Sequence, residues 1–216
     1  MINLMKKRGI FIITLFIFAF CFSGAKASGP LSAVINEIAW MGTANSANDE
    51  WIELYNTTNT SLDISGWTLK SEDGKPTIKL SGTIPANGFY ILERTDNSTL
   101  PGITADKIYT GALSNSGEDL KLFDSLGIII DEVNSKSGWF NGKTKPDYLT
   151  MERINPLISG SDSSNWQNSQ NIGGTPKKPN SQGQEKAVAA QIQNQNKKES
   201  KTLDNKYHCW RITCED

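Results

Sequence analysis

The residues best equipped for chemistry are four early carboxylates, Glu37, Asp49, Glu50 and Glu53, and a late trio, His208, Cys209 and Cys214. The carboxylates could ligate calcium, which takes six to eight oxygens, or divide acid and base roles in glycoside hydrolysis. No Asp-x-Asp-x-Asp-Gly loop accompanies them, so the plainer reading is strand-end charges or caps for loop amides. They stand as metal candidates by residue type alone, and apart from that calcium option no cofactor is expected. Nucleophilic catalysis has less to draw on. His208 is the sole histidine, and a Ser-His-Asp or Cys-His arrangement would require the end of the chain to dock onto its body. Cys209 and Cys214 predict a local disulfide in an oxidising compartment, with a link between two chains as the alternative. Closing so short a loop stabilises by roughly 2 kcal/mol. Adding His208 gives a zinc reading, which neighbouring ligands serve poorly.

Strands must position the early carboxylates. Along 51–55, Ile52 and Leu54 point to one side and Trp51, Glu53 and Tyr55 to the other. Residues 56–61 form a polar turn, and Leu62, Ile64 and Leu69 resume the apolar pattern. The run 49–69 therefore predicts a hairpin of a half-buried antiparallel sheet. Gly66 before Trp67 marks a bend or bulge, and Trp51, Gly66 and Trp67 are expected to be structural. Residues 33–39 predict the strand that carries Glu37. Further strands are expected at 77–80, 89–93, 107–109 (an edge), 119–123 and 127–133. Eight short strands between turn residues, with no amphipathic helix, predict an all-β antiparallel sandwich. Residues 134–176 show few strand signals but carry Trp139-Phe140, Met151-Glu152-Arg153-Ile154 and Asn165-Trp166. They are expected to wrap the sandwich, with Trp139 and Trp166 covering apolar surface; exposed rings for a ligand are the alternative.

Asp-Glu-Trp-Ile-Glu-Leu-Tyr-Asn (49–56) followed by Leu-x-Ile-Ser-Gly-Trp-Thr-Leu (62–69) resembles the lamin tail domain, in its bacterial secreted form. Val-Ile-Asn-Glu-Ile-Ala-Trp-Met-Gly (34–42), Ile-Pro-Ala-Asn-Gly-Phe-Tyr-Ile-Leu (84–92) and Leu-Ser-Asn-Ser-Gly-Glu-Asp-Leu-Lys-Leu (113–122) extend the likeness over 33–133. The resemblance implies an immunoglobulin-like β-sandwich with a binding or scaffolding role and no general catalytic signature.

The ends of the chain suggest where it works. Lys6, Lys7 and Arg8 precede an almost wholly apolar run over 9–22, and Ala25-Lys26-Ala27 places small residues where signal peptidase needs them. As a helix that run spans about 21 Å, short of the roughly 30 Å hydrocarbon core. A signal peptide over 1–27, cleaved near Ala27, is the reading. An uncleaved anchor competes with it and is the only expected contact with a membrane. The domain is expected over 28–176, a disordered linker over 177–206 whose composition buries too little apolar surface to order it, and a short Cys/Trp element over 207–216. Residues 28–176 carry 10 basic and 18 acidic side chains, against 8 and 5 in 177–216. So acidic a body is a poor match for nucleic acid. The expected function is a non-enzymatic secreted or envelope-associated module for binding, adhesion or scaffolding, with a protein or envelope polymer as partner. The alternative is an accessory nucleic-acid- or carbohydrate-binding domain that assists an extracellular hydrolase.

Overall fold

Alternating apolar side chains build the body of the protein as two stacked sheets. The computed structural model describes residues 29–181. The signal segment over 1–27, the linker beyond Ser181, the disulfide between Cys209 and Cys214, and the element over 207–216 lie outside the described residues. The first strands are β1 (Ala33–Ala39), β2 (Trp51–Asn56), β3 (Leu62–Asp63), β4 (Thr68–Ser71), β5 (Thr77–Lys79) and β6 (Thr83–Ile84). They are followed by β7 (Phe89–Arg94), β8 (Lys107–Tyr109), β9 (Asp119–Phe123), β10 (Ile129–Asn134), β11 (Leu149–Arg153) and β12 (Trp166–Ile172).

One sheet has six strands in the order β12-β11-β1-β2-β7-β8, and the other has four in the order β10-β9-β4-β5. A two-residue pair, β3 with β6, completes the set. Every pairing is antiparallel except that of β7 with β8. Ile35, Ile38, Ile52, Leu54, Tyr90 and Leu92 from the larger sheet share one core with Leu69, Ile78, Leu120, Leu122 and Val133 from the smaller.

The all-β sandwich is as expected, and three details of the expectation are corrected. The run 49–69 is not a hairpin: β2 pairs with β1 and β7, whereas β4 pairs with β5 and β9 in the other sheet. The chain thus crosses between layers over 57–67, by way of β3. Nor is β2 half-buried, since all six of its residues are buried; loop and C-terminal segments cover its outer side. Thirdly, the 134–176 region does more than wrap, because β11 and β12 extend the larger sheet. Gly66 does place a bend. With φ of +80° it precedes Trp67, whose N–H donates to the Ile64 carbonyl across the turn.

Candidate functional site

Every second residue of β1, β2 and β11 faces away from the core, and three of those outward residues are glutamates in one row. Glu37 stands opposite Glu53 on one side and opposite Glu152 on the other. All three are fully buried. A register shift at Asn36 lets that residue join Glu37 on the same outer face, where its Nδ2 donates to Glu53 Oε1 at 2.8 Å. Like charges directly opposite one another destabilise a sheet, so something else must compensate this row.

The compensation comes from the chain itself. Segment 173–181 crosses the row as a strap and presents its amides to the carboxylates. Thr175 N donates to Glu37 Oε1 at 3.0 Å, Lys177 N to Glu53 Oε2 at 2.7 Å, and Ser181 N to Glu152 Oε2 at 2.9 Å. Thr150 Oγ1 adds a 2.5 Å bond to Glu37 Oε1. Gly173 and Gly174, both with φ near +80°, turn the chain into this path; a Cβ on Gly174 would strike Glu37 Oε1 and the Thr150 side chain. Asn180 pins the far end, its Nδ2 donating to the Arg153 carbonyl at 2.9 Å and the Asn36 carbonyl at 3.1 Å. The Lys177 ammonium pairs with Asp106. The packed chain therefore runs past residue 176 to Ser181, five residues beyond the expected domain boundary.

Proton count supports the same picture. Thr175 Oγ1 lies 3.1 Å from Glu37 Oε2 and 2.9 Å from Glu152 Oε1, but a hydroxyl has one hydrogen to give. A proton on Glu37 would supply the other bond and leave the hydroxyl hydrogen for Glu152. Burial, and then the Glu152 charge, push Glu37 up to about 8 against the hydrogen bonds from Thr150 and Thr175. Burial, and then Glu37, raise Glu53 as well.

The other two predicted carboxylates lie elsewhere. Asp49 Oδ2 accepts from Thr43 Oγ1 at 2.6 Å. Glu50 meets Arg94 Nη1 at 2.8 Å and accepts from Leu113 N at 2.7 Å, while burial raises its carboxyl to about 7. The quartet thus divides into one adjacent pair and two separate acids. Among the described residues, no group of three or more His, Cys, Asp or Glu is placed to hold a metal ion. Glu152, which completes the row, was not among the sequence candidates; its signal was its position one step out of phase with the core residue Met151. Trp40, Trp51, Trp67 and Trp166 are buried, and Trp139 stacks on Trp40 at 6.0 Å, so no cluster of bare tryptophan rings occurs among the described residues.

This geometry defines a class: an antiparallel sandwich whose outer carboxylates fasten its own C-terminal strap. A protein-family model described as Lamin Tail Domain matches residues 26–137, just over half of the chain, and the chain belongs to that family. The family is one of immunoglobulin-like, non-catalytic domains. β11, β12 and the strap all lie beyond the matched residues. No curated protein matches the chain.

Proposed function

We propose that the protein is a non-enzymatic exported module for binding, adhesion or scaffolding at the cell envelope, with the sandwich as a rigid base from which the C-terminal segment departs at a fixed point. The observation that carries this reading is the strap. Three fully buried glutamates hold the chain down as far as Ser181, so a pull on the following residues would pass to β1, β2 and β11. Residues 182–216 carry 6 basic and 5 acidic side chains, and Lys177 is already paired with Asp106. The tail is therefore nearly neutral and suits a protein or a weakly charged polymer better than a polyanion. The test is to express, in a bacterial host, the full chain and a chain ending at Ser181, both with the native N-terminal segment. The full chain is expected on the cells and the shorter one, still folded, in the medium. Equal retention of both would overturn the proposal.

A further inference from the structure

A cavity of about 370 Å³ lies beside the start of the strap, within the size range of small-molecule sites. The β1–β2 loop at 42–45, the β7–β8 loop within 98–103, and 172–176 at the end of β12 all contribute to its wall. The body carries 10 basic and 18 acidic side chains over 28–176, yet none of the described residues lining this cavity is charged. An ion drawn in from water would meet no opposite charge, so the cavity selects a neutral ligand. Leu100, Pro101, Ile103, Ile172 and Pro176 supply apolar wall, and Ile172 is 72% exposed, without cover. Three polar side chains interrupt that wall. Asn45, Thr99 and Tyr148 make no side-chain hydrogen bond to any described residue, and the ends of Thr99 and Tyr148 are not sealed from solvent. Thr43 and Thr150 differ, since their hydroxyls turn away to Asp49 at 2.6 Å and Glu37 at 2.5 Å. Tyr148 also holds a φ of +43°, which a bulky residue rarely adopts, and such strain gathers at ligand sites.

We infer that this cavity binds a neutral sugar ring, with hydroxyls bonded to Asn45, Thr99 and Tyr148 and C–H faces against the apolar wall. A pyranose carries hydroxyls around its rim and C–H groups on its faces. Each hydroxyl both donates and accepts, which suits polar side chains that come from three separate stretches of chain. A hydrocarbon would cover those side chains without pairing them, and a sugar acid or amino sugar would bring a charge with no partner. The cavity lies wholly within a chain ending at Ser181, so its failure as a site leaves the tail's retention role standing, and the converse holds too.

Glucose, galactose and N-acetylglucosamine, each added to the full chain, test this through the backbone amide resonances of Asn45, Thr99 and Tyr148. At least one of them is expected to shift those resonances saturably and to bind roughly ten-fold more tightly than glucuronate, glucosamine or cyclohexanol. A disaccharide ending in the bound sugar separates two sources: tighter binding assigns the end of a glycan, equal or weaker binding a free sugar, and either supports the site. Ala44→Trp, in an exposed loop on the cavity wall, is expected to abolish binding with the fold retained. Tyr148→Phe is expected to weaken binding several-fold. No saturable shift with any of the three sugars, equal affinity for a charged sugar or for cyclohexanol, or undiminished binding in either variant would each overturn the proposal.

Discussion

Glu152 and Arg153 are neighbours in the chain, lie on opposite faces of β11 and are both fully buried, yet their charges are accommodated in opposite ways. On the core side Arg153 meets Asp131 of the other sheet through two bonds, at 2.6 Å and 3.1 Å, and also donates to the Ile35 carbonyl at 3.1 Å. Opposite charges there clasp the two layers. On the outer side no arginine or lysine among the described residues lies on the oxygens of Glu152, Glu37 and Glu53, and backbone amides and hydroxyls take its place. An ion pair links two sheets that would pack in any case. A row of carboxyl groups, with Glu37 and Glu53 both raised toward their neutral forms, still needs a particular segment to satisfy its oxygens, and that makes the row a fastening for the strap.

The comparison can be broken from either side. Arg153→Met leaves Asp131 buried without its partner, a loss of about 3–5 kcal/mol that denaturant unfolding would register. Adding Asp131→Leu is expected to restore only part of it, because the unpaired charge is gone but the buried Ile35 N–H, which donates to Asp131 Oδ2 at 2.8 Å, and the Ile35 carbonyl are left without those partners. On the outer side Asn180→Ala removes the donor to two buried carbonyls and is expected to lower stability by about 1–3 kcal/mol. Its mark would be faster hydrogen exchange confined to the amides of Thr175, Lys177 and Ser181. The smallest effect near pH 6 belongs to Glu37→Gln, under about 1 kcal/mol, because the folded protein already favours a neutral group there.

That last variant separates the two sides by pH. Glu37 is raised from its usual 4.5 to about 8 in the folded chain, so the fold binds the proton more tightly than the unfolded state does. Its contribution is complete below pH 4.5 and is lost as pH climbs through about 8. Glu53 moves in the same direction. Unfolding free energy is therefore expected to fall between about pH 5 and pH 9 in the natural chain. In Glu37→Gln the decline should be shallower; an unchanged slope would remove Glu37 from the account.

The sandwich was legible because core residues alternate: Ile52 and Leu54 announce β2, and Leu120 and Leu122 announce β9. Trp51 and Trp67 are buried, and the turn signal at Gly66 coincides with its φ of +80°. The partner of β2 was not, since a polar turn after a strand looks alike whether the chain doubles back or crosses to the other layer. β11 and β12 were missed because their outward residues are Thr, Glu, Gln and Asn, which leave no apolar rhythm. Glu37 and Glu53 stood out as acids, but pattern alone suggested metal or solvent. Their real partners are backbone amides of Thr175 and Lys177, more than 120 residues away, and an amide has no identity in a sequence. The strap was hidden for the same reason. It is held by what its backbone donates, and Gly173-Gly174-Thr175-Pro176 looked like an ending.

Two truncations compared by equilibrium unfolding test the strap most directly. A chain ending at Ser181 keeps every amide on the glutamate row and is expected to match the full chain within about 0.5 kcal/mol. A chain ending at Ile172 leaves three buried carboxylates uncovered and is expected to lose at least about 3 kcal/mol. Equal stability of the two truncated chains would contradict the assignment of Glu37, Glu53 and Glu152 as the fastening.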